Sequence, residues 1–323
     1  MWGSDATAVP PSSLRDPWQW RPGPGRCLER TVSLIDLRGP DARRFLHGQS
    51  SADLMAAGTG CWIPACSITP TGRMLGRLRI RLSGEAGESA TVLVESGDAD
   101  AIHTALDRVL FPADRVDLDG VRPARQRLEL AENGQPGAMA VMAAEEPLPD
   151  SGLRPLNPVE QERWRIQWGQ PAWPAEINDA HNPFELGLAD AVSLSKGCYV
   201  GQETLAKLAT YDGVRQQLRR WWCPVPDEGS DSITAGTVLQ TPAGDRAGTI
   251  TSVLTLPPGA DGPAVGEAGV LIGLAMVRRA ALGEPALRLS GAQGAGSGPA
   301  VELQLSRTAG FVEPPVGAGS GAR

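Results

Sequence analysis

Lysine is nearly absent from this chain: among 30 basic residues only Lys196 and Lys207 are lysines, and the rest are arginines. Acidic residues outnumber basic ones, 37 to 30, for a formal net charge of −7. That balance disfavours binding to a phosphate backbone, which needs cationic surface, so direct tight nucleic-acid binding is not expected. No stretch approaches the 18 uninterrupted apolar residues of a membrane span, and the first residues, with Asp5, prolines and arginines, hold no apolar export segment. The expectation is a cytoplasmic protein with no membrane partner.

Metal and disulfide patterns are also missing. The five cysteines, Cys27, Cys61, Cys66, Cys198 and Cys223, are odd in number and irregular in spacing, which reads as reduced thiols in a reducing compartment. Cys61 and Cys66 enclose Trp-Ile-Pro-Ala, neither a C-x-x-C redox pair nor a usual zinc spacing, and are read as packing residues. His47, His103 and His181 form no H-E-x-x-H-like motif. No stable metal or resident iron–sulfur cluster is expected, since cluster ligation takes four cysteines at recognisable spacing. A transient cluster shared by two chains through Cys198 is left open. His103 is read as structural and His181 as a candidate pocket wall.

What is present divides the chain by pattern. Residues 1–27, rich in Pro, Ser, Arg and Trp, read as a flexible or surface-hugging arm. Residues 28–212 read as an α/β region. Thr31–Leu37 is a β-branched and aliphatic run, and Asp41–His47 has helical spacing with Gly48 as a left-handed cap. Leu78, Ile80 and Leu82 alternate with Arg77, Arg79 and Arg81, a strand with one apolar and one cationic face. Thr91–Glu95 is a further strand, and Ile102, Leu106, Val109 and Leu110 mark an amphipathic helix ending at Pro112. Residues 132–158 have no period and read as a loose excursion. From 213 to 312, short β-prone runs (Arg219–Cys223, Thr237–Leu239, Gly248–Leu254, Val301–Leu305) between Pro/Gly turns predict a small β-barrel or sandwich. Residues 313–323 read as a disordered tail. The fold class is therefore α+β, with no internal repeat.

The window Ser195–Glu203, S-K-G-C-Y-V-G-Q-E, carries the most chemistry. Gly197 and Gly201 bracket Cys198 and Tyr199, so the backbone there can turn tightly or admit a ligand. Leu205, Leu208 and Ala209 fall at helical spacing, which starts a helix near Gln202 with Cys198 just before it. If Lys196–Cys198 is extended, the ammonium shares a face with the sulfur, and both features favour a reactive thiolate. The other reading is a buried core thiol in a glycine-rich turn.

These residues resemble the K-G-C-Y-x-G-Q-E signature of YgfZ-type folate-binding proteins, relatives of the glycine-cleavage aminomethyltransferases. Further segments agree in order: Gly39-Pro40-Asp41 through Phe45-Leu46-His47-Gly48-Gln49, the turn Thr69–Arg73, Arg165-Ile166 through Pro171, and Gly273-Leu274-Ala275 with Arg278-Arg279. The resemblance spans about residues 28–290. It implies a region binding tetrahydrofolate or a folate derivative in a central hole, followed by a C-terminal β-barrel. Asn182-Pro183-Phe184-Glu185-Leu186-Gly187-Leu188 is similar to an aminomethyltransferase run whose glutamate receives the pterin N–H donors, and a carboxylate suits two parallel hydrogen bonds. The plain alternative for Glu185 is a surface or helix-capping carboxylate.

On this resemblance the candidate catalytic residues are Cys198 and Lys196, and the cofactor-binding ones are Glu185, Tyr199, Gly197, Gly201, Gln202 and Arg215. Arg219, Arg220 and Arg79 are further candidates for the folate tail's carboxylates. One departure stands out: the aminomethyltransferases carry an aspartate pair where this chain has Gly76-Arg77, so glycine-cleavage transfer is not expected. The resemblance implies a factor supporting iron–sulfur cluster assembly or repair, with assembly proteins or client enzymes as partners. The alternatives are a folate-dependent aminomethyl or one-carbon transferase, and a tRNA-modification factor acting indirectly through iron–sulfur enzymes.

Overall fold

The computed structural model describes residues 16–226, 233–258, 269–290 and 301–315. The first fifteen residues of the expected arm and residues 316–323 of the expected tail lie outside the described residues.

Strand β1 (Arg26–Arg38) is the long centre of an eight-stranded sheet. Helix α1 (Ala42–Gln49) and strands β2 (Trp62–Ile68), β3 (Met74–Ser83) and β4 (Ser89–Gly97) follow, then α2 (Ala99–Asp107), the short β5 (Asp117–Leu118) and β6 (Arg122–Leu130). Strands β7 (Pro136–Ala143) and the short β8 (Arg154–Pro155) complete the sheet, whose main order is β2-β3-β4-β1-β6-β7.

The alternation predicted for β3 is observed. Leu78, Ile80 and Leu82 are buried against Phe45 and Leu46 of α1 and Ile102 and Leu106 of α2. The opposite face of the same strand carries Arg77 and Arg79, which meet Glu95 of β4. Period-two alternation thus gives this sheet a dry side under two helices and a charged side.

Helix α3 (Pro158–Trp168) starts with a capping box: the Asn157 side chain accepts the Glu160 N–H, and the Glu160 carboxylate accepts the Asn157 N–H. It ends at Gly169, whose φ of +68° is the left-handed cap that glycine adopts without strain. Helix α4 (Gln202–Thr210) begins where the sequence predicts.

Strands β9 (Gln216–Pro224), β10 (Val238–Gln240), β11 (Arg246–Leu256), β12 (Val270–Arg278), β13 (Ala286–Leu289) and β14 (Glu302–Ser306) close an antiparallel barrel, in the order β10-β11-β12-β9-β14-β13. Trp221, Leu239, Ile250, Ala275 and Leu287 fill its interior. Its outer face shares a core with the rest: Leu256, Ile272, Leu274 and Met276 join Phe184, Leu186, Tyr199 and Leu205 in one cluster. The Arg165 guanidinium and the Glu176 carboxylate both bond the Ser252 hydroxyl of β11, tying α3 and the loop after it to the barrel.

Three expectations need correction. Residues 16–27 are not a free arm, because Trp18 is buried under the Arg220 guanidinium, 4.5 Å from its ring centroid, and β1 starts at Arg26. The expected loose excursion over 132–158 holds a strand: β7 pairs with β6 along most of its length, and 144–153 carry no strand or helix. An Ala- and Gly-rich edge strand, half exposed, shows no alternation that a sequence reading can detect. Gly48 lies inside α1, and the helix ends instead on an extended Ser50.

Candidate functional site

The loop that bears the cysteine is held by the lysine rather than armed by it. Lys196 is buried, and its ammonium donates to the carbonyls of His47, Ser50 (2.6 Å) and Ala52 (2.7 Å), all at or beyond the end of α1. A cation at a helix C-terminus satisfies carbonyls that the helix leaves open and sits in the favourable end of its dipole. The same ammonium lies 4.4 Å from the Tyr199 ring centroid. Burial lowers the Lys196 pKa to about 8. Cys198, by contrast, is exposed. The chain bends through 194–197 instead of running extended, so the shared-face premise that paired ammonium and sulfur fails. The buried-core reading of Cys198 fails as well.

The other signature residues build this loop. Gly201 has φ +78°, and a Cβ there would meet the Thr69 carbonyl oxygen at 2.7 Å, so the position requires glycine. The Gln202 carboxamide donates to the Lys196 carbonyl (3.1 Å), and the Val200 N–H donates to the Gly48 carbonyl (3.1 Å). Tyr199 is buried in the shared core, and Gly197 is exposed beside His47.

Glu185 stands elsewhere, in a built pocket. Phe184 and Leu186 on either side of it are buried, and its own side chain is 7% exposed. One carboxylate oxygen accepts the Asn182 N–H (3.1 Å), and the Asn182 side chain returns bonds to the N–H groups of Phe184 and Glu185. Burial raises the Glu185 pKa, opposed by the Asn182 N–H and by His181, Arg73 and Gln216. The carboxylate opens onto two abutting cavities that share Arg73, Glu185 and Arg215. One, of about 440 Å³, is walled by Thr204 and Lys207 of α4, and the other, of about 550 Å³, by Arg278 and Arg279. Arg279 is paired with Asp212. Arg215 and Arg278 have no ion pair among the described residues.

Of the candidate residues, then, Glu185 and Arg215 come together. Cys198, Lys196, Tyr199, Gly197, Gly201 and Gln202 line neither cavity. Arg219 packs on Phe311, Arg220 on Trp18 and Ser306, and Arg79 on Glu95, which removes all three as tail-binding residues. His181 is buried with its Nδ1 on the Glu176 carbonyl and lines a separate cavity against the barrel. Sequence reasoning missed Arg73, Arg278 and Arg279 as pocket walls, although each lies in a segment whose resemblance is visible.

Arg77 is one of three arginines, with Arg30 and Arg79, gathered around the buried Glu95 carboxylate. Its guanidinium lies 3.4 Å from the Glu95 carboxylate and donates to the Gln170 side chain. A Cβ at Gly76 would come within 2.6 Å of the terminal methyl of Ile102, so a larger residue there would push that side chain aside.

No protein-family model matches the chain. It is 26% identical over 267 residues, covering 68% of this chain and 59% of the other, to a chloroplastic protein of Arabidopsis thaliana described as a "putative transferase". It is 27% identical over 240 residues to an uncharacterized protein of Haemophilus influenzae, covering 69% of this chain and 82% of that one. The crystal structure of the glycine cleavage system aminomethyltransferase T from Bartonella henselae superposes with a TM-score of 0.65 at 17% identity, covering 90% of this chain and 87% of that one. The fold is therefore that of an aminomethyltransferase T protein: a mixed α/β region built on a large sheet, joined to a closed six-stranded antiparallel barrel. Among the described residues no helix is long and apolar enough to cross a membrane, and no His/Cys/Asp/Glu group is arranged to hold a metal ion.

Proposed function

We propose that this chain is a YgfZ-type protein that binds a tetrahydrofolate derivative against Glu185 and has given up aminomethyl transfer. The observation that carries the reading is the pairing of a buried carboxylate with cations across one pair of cavities: Glu185 with Arg73, Arg215 and Arg278. A folate presents neutral N–H donors at its pterin end and carboxylates at its glutamate end, and a carboxylate beside guanidinium groups complements both. Arg77 stands where the aminomethyltransferases carry an aspartate, and the neighbouring carboxylate, Glu95, is taken up by three arginines, which supports loss of the chemistry.

The exposed Cys198, on a loop held rigidly by Lys196, is the thiol offered to partners. Its role here is support of iron–sulfur cluster assembly or repair, with assembly proteins or client enzymes as the partners. Effects on tRNA modification follow indirectly through such enzymes. The transferase name of the Arabidopsis relative favours the second reading, a folate-dependent transferase. Equilibrium dialysis against 5-formyltetrahydrofolate, run beside an assay for methylenetetrahydrofolate formation from an aminomethyl donor, separates the two. Binding without turnover is expected; turnover restores the transferase reading, and absence of binding removes both.

A further inference from the structure

The cavity that His181 lines, of about 360 Å³, lies between the barrel and the loop after α3. Its polar walls are His181, Gln216, Thr249 and Thr251, and its larger apolar ones are Ile250 and Met276, both buried. Among the described residues no Asp, Glu, Lys or Arg lines it. The adjoining Glu185 cavity, with which it shares Gln216, is walled by Arg73, Arg215, Arg278 and Arg279. A charged ligand that is welcome on one side of Gln216 therefore meets no counter-charge on the other, where desolvating it goes uncompensated.

Two polar atoms in these walls lack partners. His181 is buried, and its Nδ1 lies 2.8 Å from the Glu176 carbonyl oxygen. A carbonyl only accepts, so Nδ1 carries the proton, and in the neutral imidazole Nε2 is a bare acceptor. That nitrogen has no hydrogen bond among the described residues. Thr251 supplies the second atom. It is the extra residue of a bulge in β11, where the register with β12 shifts between Ile250 and Ser252, and a bulge re-aims its side chain out of the strand's alternation. The Thr251 hydroxyl is buried with no hydrogen-bond partner. Unpaired buried polar groups are costly, and one ligand group can answer both of these. A hydroxyl gives its proton to an imidazole nitrogen while its oxygen accepts the proton of another hydroxyl.

We propose that this cavity binds a compact uncharged hydroxyl compound. The ligand O–H donates to His181 Nε2, its oxygen accepts from the Thr251 hydroxyl, and its hydrocarbon body rests on Ile250 and Met276. The volume is near the small end of the range for ligand pockets, which suits a single ring or a short chain. The site is independent of the folate reading, which rests on Glu185 and the arginines.

The test is an NMR titration of the full-length protein, following the histidine ring nitrogens, with cyclohexanol, methoxycyclohexane, cyclohexylamine and cyclohexanecarboxylate. Cyclohexanol binds saturably and shifts one Nε2 resonance, the one that His181→Phe deletes. Methoxycyclohexane keeps the body and loses the donor, and binds about threefold or more weakly, as for loss of a neutral hydrogen bond. The two charged analogues bind more weakly than cyclohexanol. Thr251→Val, which conserves shape, weakens cyclohexanol by about three- to tenfold, and in His181→Phe the preference for the alcohol over the ether disappears. Glu185→Ala leaves cyclohexanol affinity unchanged, which keeps this site distinct from the folate claim. The proposal is overturned if cyclohexanol does not bind, the result expected if water alone satisfies the two atoms. It is equally overturned if the ether or a charged analogue binds as tightly, if the His181 resonance stays in place on binding, if Thr251→Val has no effect, or if Glu185→Ala abolishes binding.

Discussion

Lys196 turns its ammonium inward onto three main-chain carbonyls, while Cys198, two residues later, stays in solvent. The lysine of the signature is thus a clamp that ties the thiol-bearing loop to the end of α1, and the sulfur is presented outward from a fixed base. Loop and Glu185 cavity are separate features, served by the same helix: α4 starts at the end of the loop and walls that cavity with Thr204 and Lys207.

Removing the clamp leaves buried carbonyls without donors, each a substantial loss. Lys196→Met is expected to cost about 2 kcal/mol or more of stability, whereas Cys198→Ser stays within about 0.5 kcal/mol of wild type. Urea unfolding of the two variants measures the difference. Equal effects would contradict the assignment of Lys196 to structure.

The thiols divide by exposure. Cys61 and Cys198 are exposed, and Cys27, Cys66 and Cys223 are buried; burial pushes Cys66 and Cys223 up to about 12. Native protein is expected to show two fast-reacting thiols toward a maleimide and Cys198→Ser one, since reactivity needs an accessible thiolate. Counting labelled sites by mass spectrometry checks it.

Acid should act through Glu95. Burial alone raises a carboxyl pKa, but Arg77, Arg79 and Arg30 outweigh it and hold Glu95 down at about 2, against 4.5 for a free glutamate. The folded-state value is the lower one, so the unfolded chain takes up the proton first. The stabilisation is complete above about pH 4.5 and is lost as pH falls toward 2, a contribution on the order of 3 kcal/mol. The stability gap between wild type and Glu95→Gln is expected to shrink over that window; a gap independent of pH contradicts the cluster.

Glu185 works in the opposite sense. Its pKa is raised by burial, and a ligand offering N–H donors favours the charged form. Folate affinity should therefore rise with pH as Glu185 ionises, above the ordinary glutamate range, and then level off. In Glu185→Gln that dependence should flatten, as measured by titrations across pH.

The elements legible in the sequence are those with a local period. Leu78, Ile80 and Leu82 mark β3 by alternation, and Leu205, Leu208 and Ala209 mark α4 by helical spacing. Strand β7 has no such pattern and exists because β6 offers it an edge. The Arg30–Arg77–Arg79–Glu95 cluster joins three strands through pairing registers that no local spacing encodes. Trp18 is buried by Arg220, some two hundred residues on. Lys196 misled because sharing a face at a spacing of two presumes extended backbone, and this loop bends.

One measurement bears most directly on the account: calorimetric titration of wild type and Glu185→Ala with tetrahydrofolate near neutral pH. Saturable binding by wild type, weakened by at least about tenfold when the carboxylate is removed, is the predicted result. Equal affinity in both proteins would place the pterin away from Glu185 and contradict the claim.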